Sequence, residues 1–221
     1  MPNFCGCPAA LDSAGFVAMV RYRGYPWSIA EYVSLAKALP WDWWASMDFC
    51  CEREVAADRQ EVVSRVARTV IWLDKCLTEA ERQGVKPPMP VLQGWQAADY
   101  VSCAAQMEHY DHYLPDLVGV GSVCRRALGG PDGLLAIISR LDRELPRNVR
   151  LHLFGVKGSA IRELADHPRI WSVDSMAWDA AARREKNGRS CSVEYRIGHL
   201  RRWFNTNRGL LTASPQMRLA V

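Results

Sequence analysis

A chain of 221 residues, 49% apolar and 24% charged, has the makeup of a globular protein able to bury a core of its own. No run of 18 or more apolar residues occurs, which excludes a membrane-spanning helix, and Met1 to Pro8 lacks the charged-then-apolar layout of a secretory signal; a cytoplasmic protein is expected. The net charge of +4 is unevenly placed, with eight cations between Arg183 and Arg208 (Arg183, Arg184, Lys186, Arg189, Arg196, Arg201, Arg202, Arg208) against two acids, Glu185 and Glu194. Such a segment attracts phosphate backbones; the alternative is a solvated helix face. The eight cysteines (5, 7, 50, 51, 76, 103, 124, 191) are expected to be reduced thiols, several of them acting as small hydrophobes.

In chain order, Ala9–Leu11 reads as a short strand running into Asp12-Ser13. Ser28–Leu39 reads as a helix, capped by Ser28 with Glu31 three residues on. Trp44–Phe49 reads as a strand. Val55–Gln83 is a long amphipathic helix with Val62, Val66, Val70, Leu73 and Leu77 on one stripe and Gly84 as its stop. Strands follow at Met89–Gln93, Leu117–Val120, Val149–Phe154 and Ile170–Val173. Helices lie between them at Gln96–His112, Pro131–Leu145 and Ser159–His167, and a last helix starts near Ser175. This alternation predicts an α/β fold with a parallel sheet. The chain is short for eight strand–helix units, so the expected architecture is a trimmed or incomplete TIM-like (β/α) barrel over residues 1–185, with a basic C-terminal segment, 186–221, packed on it. A doubly wound open sheet is the alternative.

Each expected strand ends in a polar or glycine cluster: Asp12-Ser13-Ala14-Gly15-Phe16, Asp48-Phe49-Cys50-Cys51-Glu52, Gln93-Gly94-Trp95, Gly119-Val120-Gly121-Ser122, Phe154-Gly155-Val156-Lys157 and Asp174-Ser175. In a parallel barrel these ends form one rim, where active sites are built. Three carboxylates, Asp12, Asp48 and Asp174, would meet there. A lone Asp at a strand end is as often a helix cap.

Taken in order over residues 9 to 185, these clusters resemble the guanine transglycosylase family, including its phage and bacterial DNA-modifying branch. Leu11-Asp12-Ser13-Ala14-Gly15-Phe16 resembles the family's S-D-S-G-G-F segment, Val91-Leu92-Gln93-Gly94 its V-Q-G, and Val118-Gly119-Val120-Gly121 its L-A-V-G turn. Phe154-Gly155-Val156 is similar to M-G-V, and Val173-Asp174-Ser175-Met176-Ala177-Trp178 to F-D-S-A-A-Y. The resemblance implies Asp174 as nucleophile and Asp12 as general acid/base. It implies a base site of Ser13, Phe16, Asp48, Gln93, Gly94, Gly119, Gly121, Phe154 and Gly155, and phosphate contacts from Arg183 and Arg184. Lys186, Arg189, Arg201 and Arg202 join the expected nucleic-acid surface through their charge.

The chemistry suits these residue types. Exchange of a base breaks an N-glycosidic bond through an oxocarbenium-like transition state, with one carboxylate attacking the sugar and a second moving the proton. A carboxylate such as Asp48 accepts from the ring N–H and amino group of a guanine-like base. Glycine at 119 and 121 would let backbone approach that base, and Phe154, Phe16 or Trp95 could stack on it. The target base would be flipped out or come from a single strand.

The tRNA-acting members carry a C-x-C-x-x-C…H zinc site after the nucleophile; here only Cys191 and His199 lie downstream, and no cofactor is expected beyond a 7-deazaguanine base as co-substrate. Cys5-x-Cys7 has metal-like spacing at the other end of the chain, and His109-x-x-His112 reads as surface histidines. The missing ligands favour DNA over tRNA. The expected activity is therefore exchange of guanine in DNA for a 7-deazaguanine derivative. The alternatives are a tRNA-directed exchanger, a glycosylase that hydrolyses without exchange, and a non-catalytic nucleic-acid-binding relative.

Overall fold

The computed structural model describes residues 8–109, 114–187, 189–212 and 218–219, with side chains as far as residue 207. Among them seven strands and eight helices follow one another as β1 (Ala10–Leu11), α1 (Gly15–Tyr22), α2 (Ile29–Ala38), β2 (Trp43–Trp44), α3 (Arg59–Gln83), β3 (Val91–Leu92), α4 (Ala97–His109), β4 (Leu117–Val120), α5 (Leu134–Glu144), β5 (Arg150–Leu153), α6 (Gly158–Leu164), β6 (Ile170–Val173), α7 (Ala177–Glu185), α8 (Val193–Thr212) and β7 (Arg218–Leu219).

Every strand pairing is parallel. β1 pairs with β2, and β3 to β7 form a second sheet in sequence order. One bridge, Ala45 to Met89, joins the two, with Ser46 N–H donating to Met89 O at 2.9 Å and Met89 N–H to Trp44 O at 2.7 Å. Each strand thus neighbours the next in sequence. A doubly wound sheet needs a reversal of strand order, and none occurs among the described strands. The sheet also curls: Trp43 on β2 reaches His152 on β5 and Phe154 just after it, with ring centroids 4.6 and 6.3 Å apart.

Local chemistry accounts for most element boundaries. Ser28 caps α2 through a complete capping box, its hydroxyl accepting from Glu31 N–H while Glu31 accepts from Ser28 N–H. The long helix begins at Arg59 rather than Val55, because Asp58 accepts from Glu61 N–H at 3.0 Å and so sets the N-cap. It ends at Gly84 (φ 65°) as its sequence requires, and Val62, Val66, Val70 and Leu73 are buried against the sheet.

The expected strand Trp44–Phe49 is mostly not a strand. Beyond Ser46 three backbone donors go to side chains: Asp48 N–H to Tyr25 Oη (2.9 Å), Phe49 N–H to Thr69 Oγ1 (3.0 Å) and Cys51 N–H to Ser122 Oγ (2.7 Å). Sequence periodicity gave no expectation of α1, nor of α8, which packs against α6 and α7. Among the described residues no helix is long and apolar enough to cross a membrane.

Candidate active site

Asp12 and Asp174, about 160 residues apart in sequence, line one cavity of about 340 Å³ together with Trp43, Phe154, Ser172, Ser175, Trp171, Trp178 and Trp203. Asp12 leaves the end of β1, and Asp174 the end of β6. The Asp12 side chain opens onto the cavity while protein crowds it on its other sides. That crowding, followed by the nearby Asp48 and Asp174 charges, pushes its carboxyl up to about 7, against the partial relief of hydrogen bonds from the Ala14 and Ser13 backbone. Ala14 holds the left-handed φ of 57° at the turn into α1, a conformation that costs a non-glycine residue strain. The corresponding residue in the resembling segment is glycine.

Asp174 is served by two donors. Gly155 N–H donates to Oδ1 at 2.5 Å, and His152 Nε2 lies 3.3 Å from Oδ2. Gly155 is in the left-handed region (φ 70°), and a Cβ there would come 2.6 Å from that of Cys124, so glycine is required twice over.

Asp48 lies behind this pair, buried, at the centre of a hydrogen-bond network. Ser13 Oγ donates to its Oδ1 at 2.6 Å, and Gln93 Nε2 donates to its Oδ2. Tyr25 Oη donates to its carbonyl at 2.8 Å. Ser122 Oγ, fed by Cys51 N–H, in turn donates to Gln93 Oε1 at 2.6 Å. Ser122 holds a left-handed φ of 54° to do so. Burial pushes the Asp48 carboxyl above its ordinary range, opposed by the hydrogen bonds from Ser13 and Gln93.

The expected base-site residues thus divide. Phe154 lines the cavity beside Asp12 and Asp174, and Gly155 binds Asp174; Ser13, Asp48 and Gln93 form the network behind them. Gly119 and Gly121 have a use the sequence did not disclose. A Cβ at Gly119 would come 2.6 Å from the Phe154 ring, and one at Gly121 would overlap the Gln93 amide, so the space that glycine leaves is occupied by these two side chains. Gly94 is pressed against Asp99, and its carbonyl accepts from Arg126 Nη2 at 3.1 Å. Phe16 stands on α1, 40% exposed, with the Arg125 guanidinium 5.2 Å above its ring.

Among the expected phosphate contacts, Arg183 is bound to Asp179 at 2.8 Å, and Arg196 binds the same buried carboxylate at 2.5 Å. Arg196, on α8, thereby ties α8 to α7. Arg184, Lys186, Arg189, Arg201 and Arg202 are exposed, Lys186 with its ammonium 4.4 Å from the Tyr195 ring centroid. Cys5 and Cys7 lie outside the described residues, as does His112; among the described residues no group of three His, Cys, Asp or Glu side chains could hold a metal.

His152 and Tyr25 were missed by sequence reasoning, and Ser122 was noted only as part of a strand-end cluster, without a role. His152 carried a signal of its own: it precedes Phe154 by two positions on an expected strand, hence shares its face. No curated protein matches the chain. Residues 3–218 match the model of a family described as DpdA, deoxypurine in DNA protein A. The match spans every strand end just described, the Asp12–Asp174 cavity and the Asp48 network included, and the chain belongs to the DpdA family.

Proposed function

We propose that this chain is a DNA-guanine transglycosylase that exchanges guanine in DNA for a 7-deazaguanine derivative, with Asp174 as nucleophile and Asp12 as general acid/base. The observation that carries the reading is the shared cavity of Asp12 and Asp174 with their unlike surroundings. The first carboxyl is raised to about 7, where it can both give and take a proton, and the second is held by two donors. In the first half-reaction an Asp174 oxygen bonds to the sugar C1′ as the glycosidic bond breaks. The released electron pair goes to the base, which takes the Asp12 proton. The second half-reaction runs the same steps backward with the incoming base, whose N–H proton returns to Asp12.

The family's description, deoxypurine in DNA, supports DNA as the acceptor. The exposed cations of α7 and α8 supply a surface for its phosphates, and the tryptophans of the cavity wall offer faces for bases or sugars. The sequential parallel strands and their curl support a trimmed barrel with the site on one rim.

The test is incubation of the protein with DNA and a labelled 7-deazaguanine, with tRNA in parallel. Label entering DNA, and a denaturation-resistant protein–DNA adduct lost in Asp174→Ala, is the expected result. Abasic sites without label would indicate a hydrolase, and label in tRNA alone a tRNA enzyme. An adduct that survives Asp174→Ala removes the nucleophile assignment.

A further inference from the structure

We propose that His152 is the residue that orients Asp174 for attack, a positioning role that rests on the transglycosylase reading above. The imidazole is fully buried on β5, with the rings of Trp43 and Phe154 each 4.6 Å from it between centroids. Its Nδ1 lies 2.7 Å from Ser172 Oγ and its Nε2 lies 3.3 Å from Asp174 Oδ2. Packing against two aromatic rings leaves the imidazole little freedom to rotate, so both nitrogens are committed to these partners.

The tautomer follows from the partners. If Nδ1 carried the hydrogen, the bare Nε2 lone pair would face a carboxylate oxygen, which is repulsive. If Ser172 donates to Nδ1, Nε2 carries the hydrogen and donates to Asp174. Nε2 is then the donor to the Asp174 carboxylate, the role the geometry requires of it. The chain of donors runs from the Ser172 hydroxyl through the imidazole to the carboxylate.

Asp174 is therefore gripped at both oxygens, unequally. The Gly155 amide holds Oδ1 at 2.5 Å, and His152 holds Oδ2 more loosely at 3.3 Å. One contact on each oxygen fixes the plane of the carboxylate, and His152 supplies the side-chain half of that grip.

Sequence gave one sign of this, the inward position of His152 beside Phe154. The two contacts needed the folded arrangement of β5 and β6.

The test is steady-state exchange of labelled 7-deazaguanine into DNA by the wild type, His152→Ala, His152→Gln and Ser172→Ala, with melting temperatures measured in parallel. Removing an orienting contact is expected to lower kcat by about 10²-fold with KM for DNA and for the base little changed. The Gln amide can place a donor where Nε2 sat, so His152→Gln recovers at least half of that loss on a logarithmic scale. Ser172→Ala leaves the ring packing intact and lowers kcat by a smaller factor. Equal loss in the Ala and Gln variants, a change confined to KM, or full activity in His152→Ala overturns the role. If His152→Ala does not fold, the Gln and Ser172 variants decide by the same criteria. A wild type that exchanges no base and forms no Asp174 adduct sinks the transglycosylase reading, and this inference with it. A wild type that exchanges while His152→Ala matches it sinks the inference alone.

Discussion

Gly121→Ala is the sharpest test of the network behind the carboxylate pair. The added methyl would overlap the Gln93 amide nitrogen and lie 2.8 Å from Gln93 Cδ. The Gly121 backbone is not in the left-handed region, so the obstacle is space and not φ. At such a position alanine ordinarily stabilises by about 0.4–1 kcal/mol, through the unfolded chain. Here the Gln93 amide cannot step aside freely, because Nε2 is bound to Asp48 and Oε1 to Ser122, and the side chain is 1% exposed. The methyl is then either squeezed in, at about 1–3 kcal/mol, or it displaces the amide and leaves buried polar groups unpaired, at about 1–3 kcal/mol each. A net loss of roughly 3 kcal/mol corresponds to a fall in Tm of about 6–12 °C for a chain of this size. Thermal unfolding followed by circular dichroism measures it. A Tm equal to or above that of the parent would show that Gln93 is not pinned and that the Asp48 network is softer than its hydrogen bonds indicate.

The raised Asp12 carboxyl predicts a stability that depends on pH. With a folded value of about 7 against 3.8 ordinarily, the folded chain holds the proton more tightly, so this contribution is fully present below about pH 4 and is lost as pH rises through 7. Asp12→Asn should therefore raise Tm relative to the parent at pH 8 and not at pH 4, and an equal difference at both pH values would count against the raised carboxyl. Replacing Arg201 and Arg202 by alanine should lower the salt slope of DNA binding by about one per lost phosphate contact and leave Tm unchanged, whereas an unchanged slope would take that helix face off the DNA.

How legible all this was depended on where the information sits. Capping signals are local, and they placed α2 and the end of α3 to within a residue or two. The alternation of strands and helices is nearly local, and it gave the parallel order of β3 to β6. The region after Trp44 misled because its apolar residues look strand-like, while its backbone donors are taken by Tyr25, Thr69 and Ser122, residues from 20 to 71 positions away. No pattern in the segment itself announces such partners. The strand-end carboxylates could be seen in the sequence, but their unlike environments could not. The glycines at 119 and 121 were read as room for a base, and the side chains that occupy the space they leave are Phe154 and Gln93.

The carboxyls of Asp12, Asp48 and Asp174 illustrate how like residues brought near one another can have unlike surroundings. Placed together in water, three aspartates would all ionise and repel, and nothing would distinguish them. Here each has a different answer to the cost of its charge. Asp174 is bound by one donor at each oxygen. Asp12 has only nearby backbone donors and two like charges, so it keeps its proton to near neutrality. Asp48 is buried and shares its oxygens between a hydroxyl and an amide, neither of them charged. The gradient runs from the carboxyl held by a donor at each oxygen, through the one best prepared to exchange a proton, to the one buried in a network of neutral partners. Acid–base chemistry at one site needs titratable groups whose environments push them apart. On the proposed reaction, that separation is supplied by a histidine, two backbone turns and a buried glutamine, and not by the aspartates themselves.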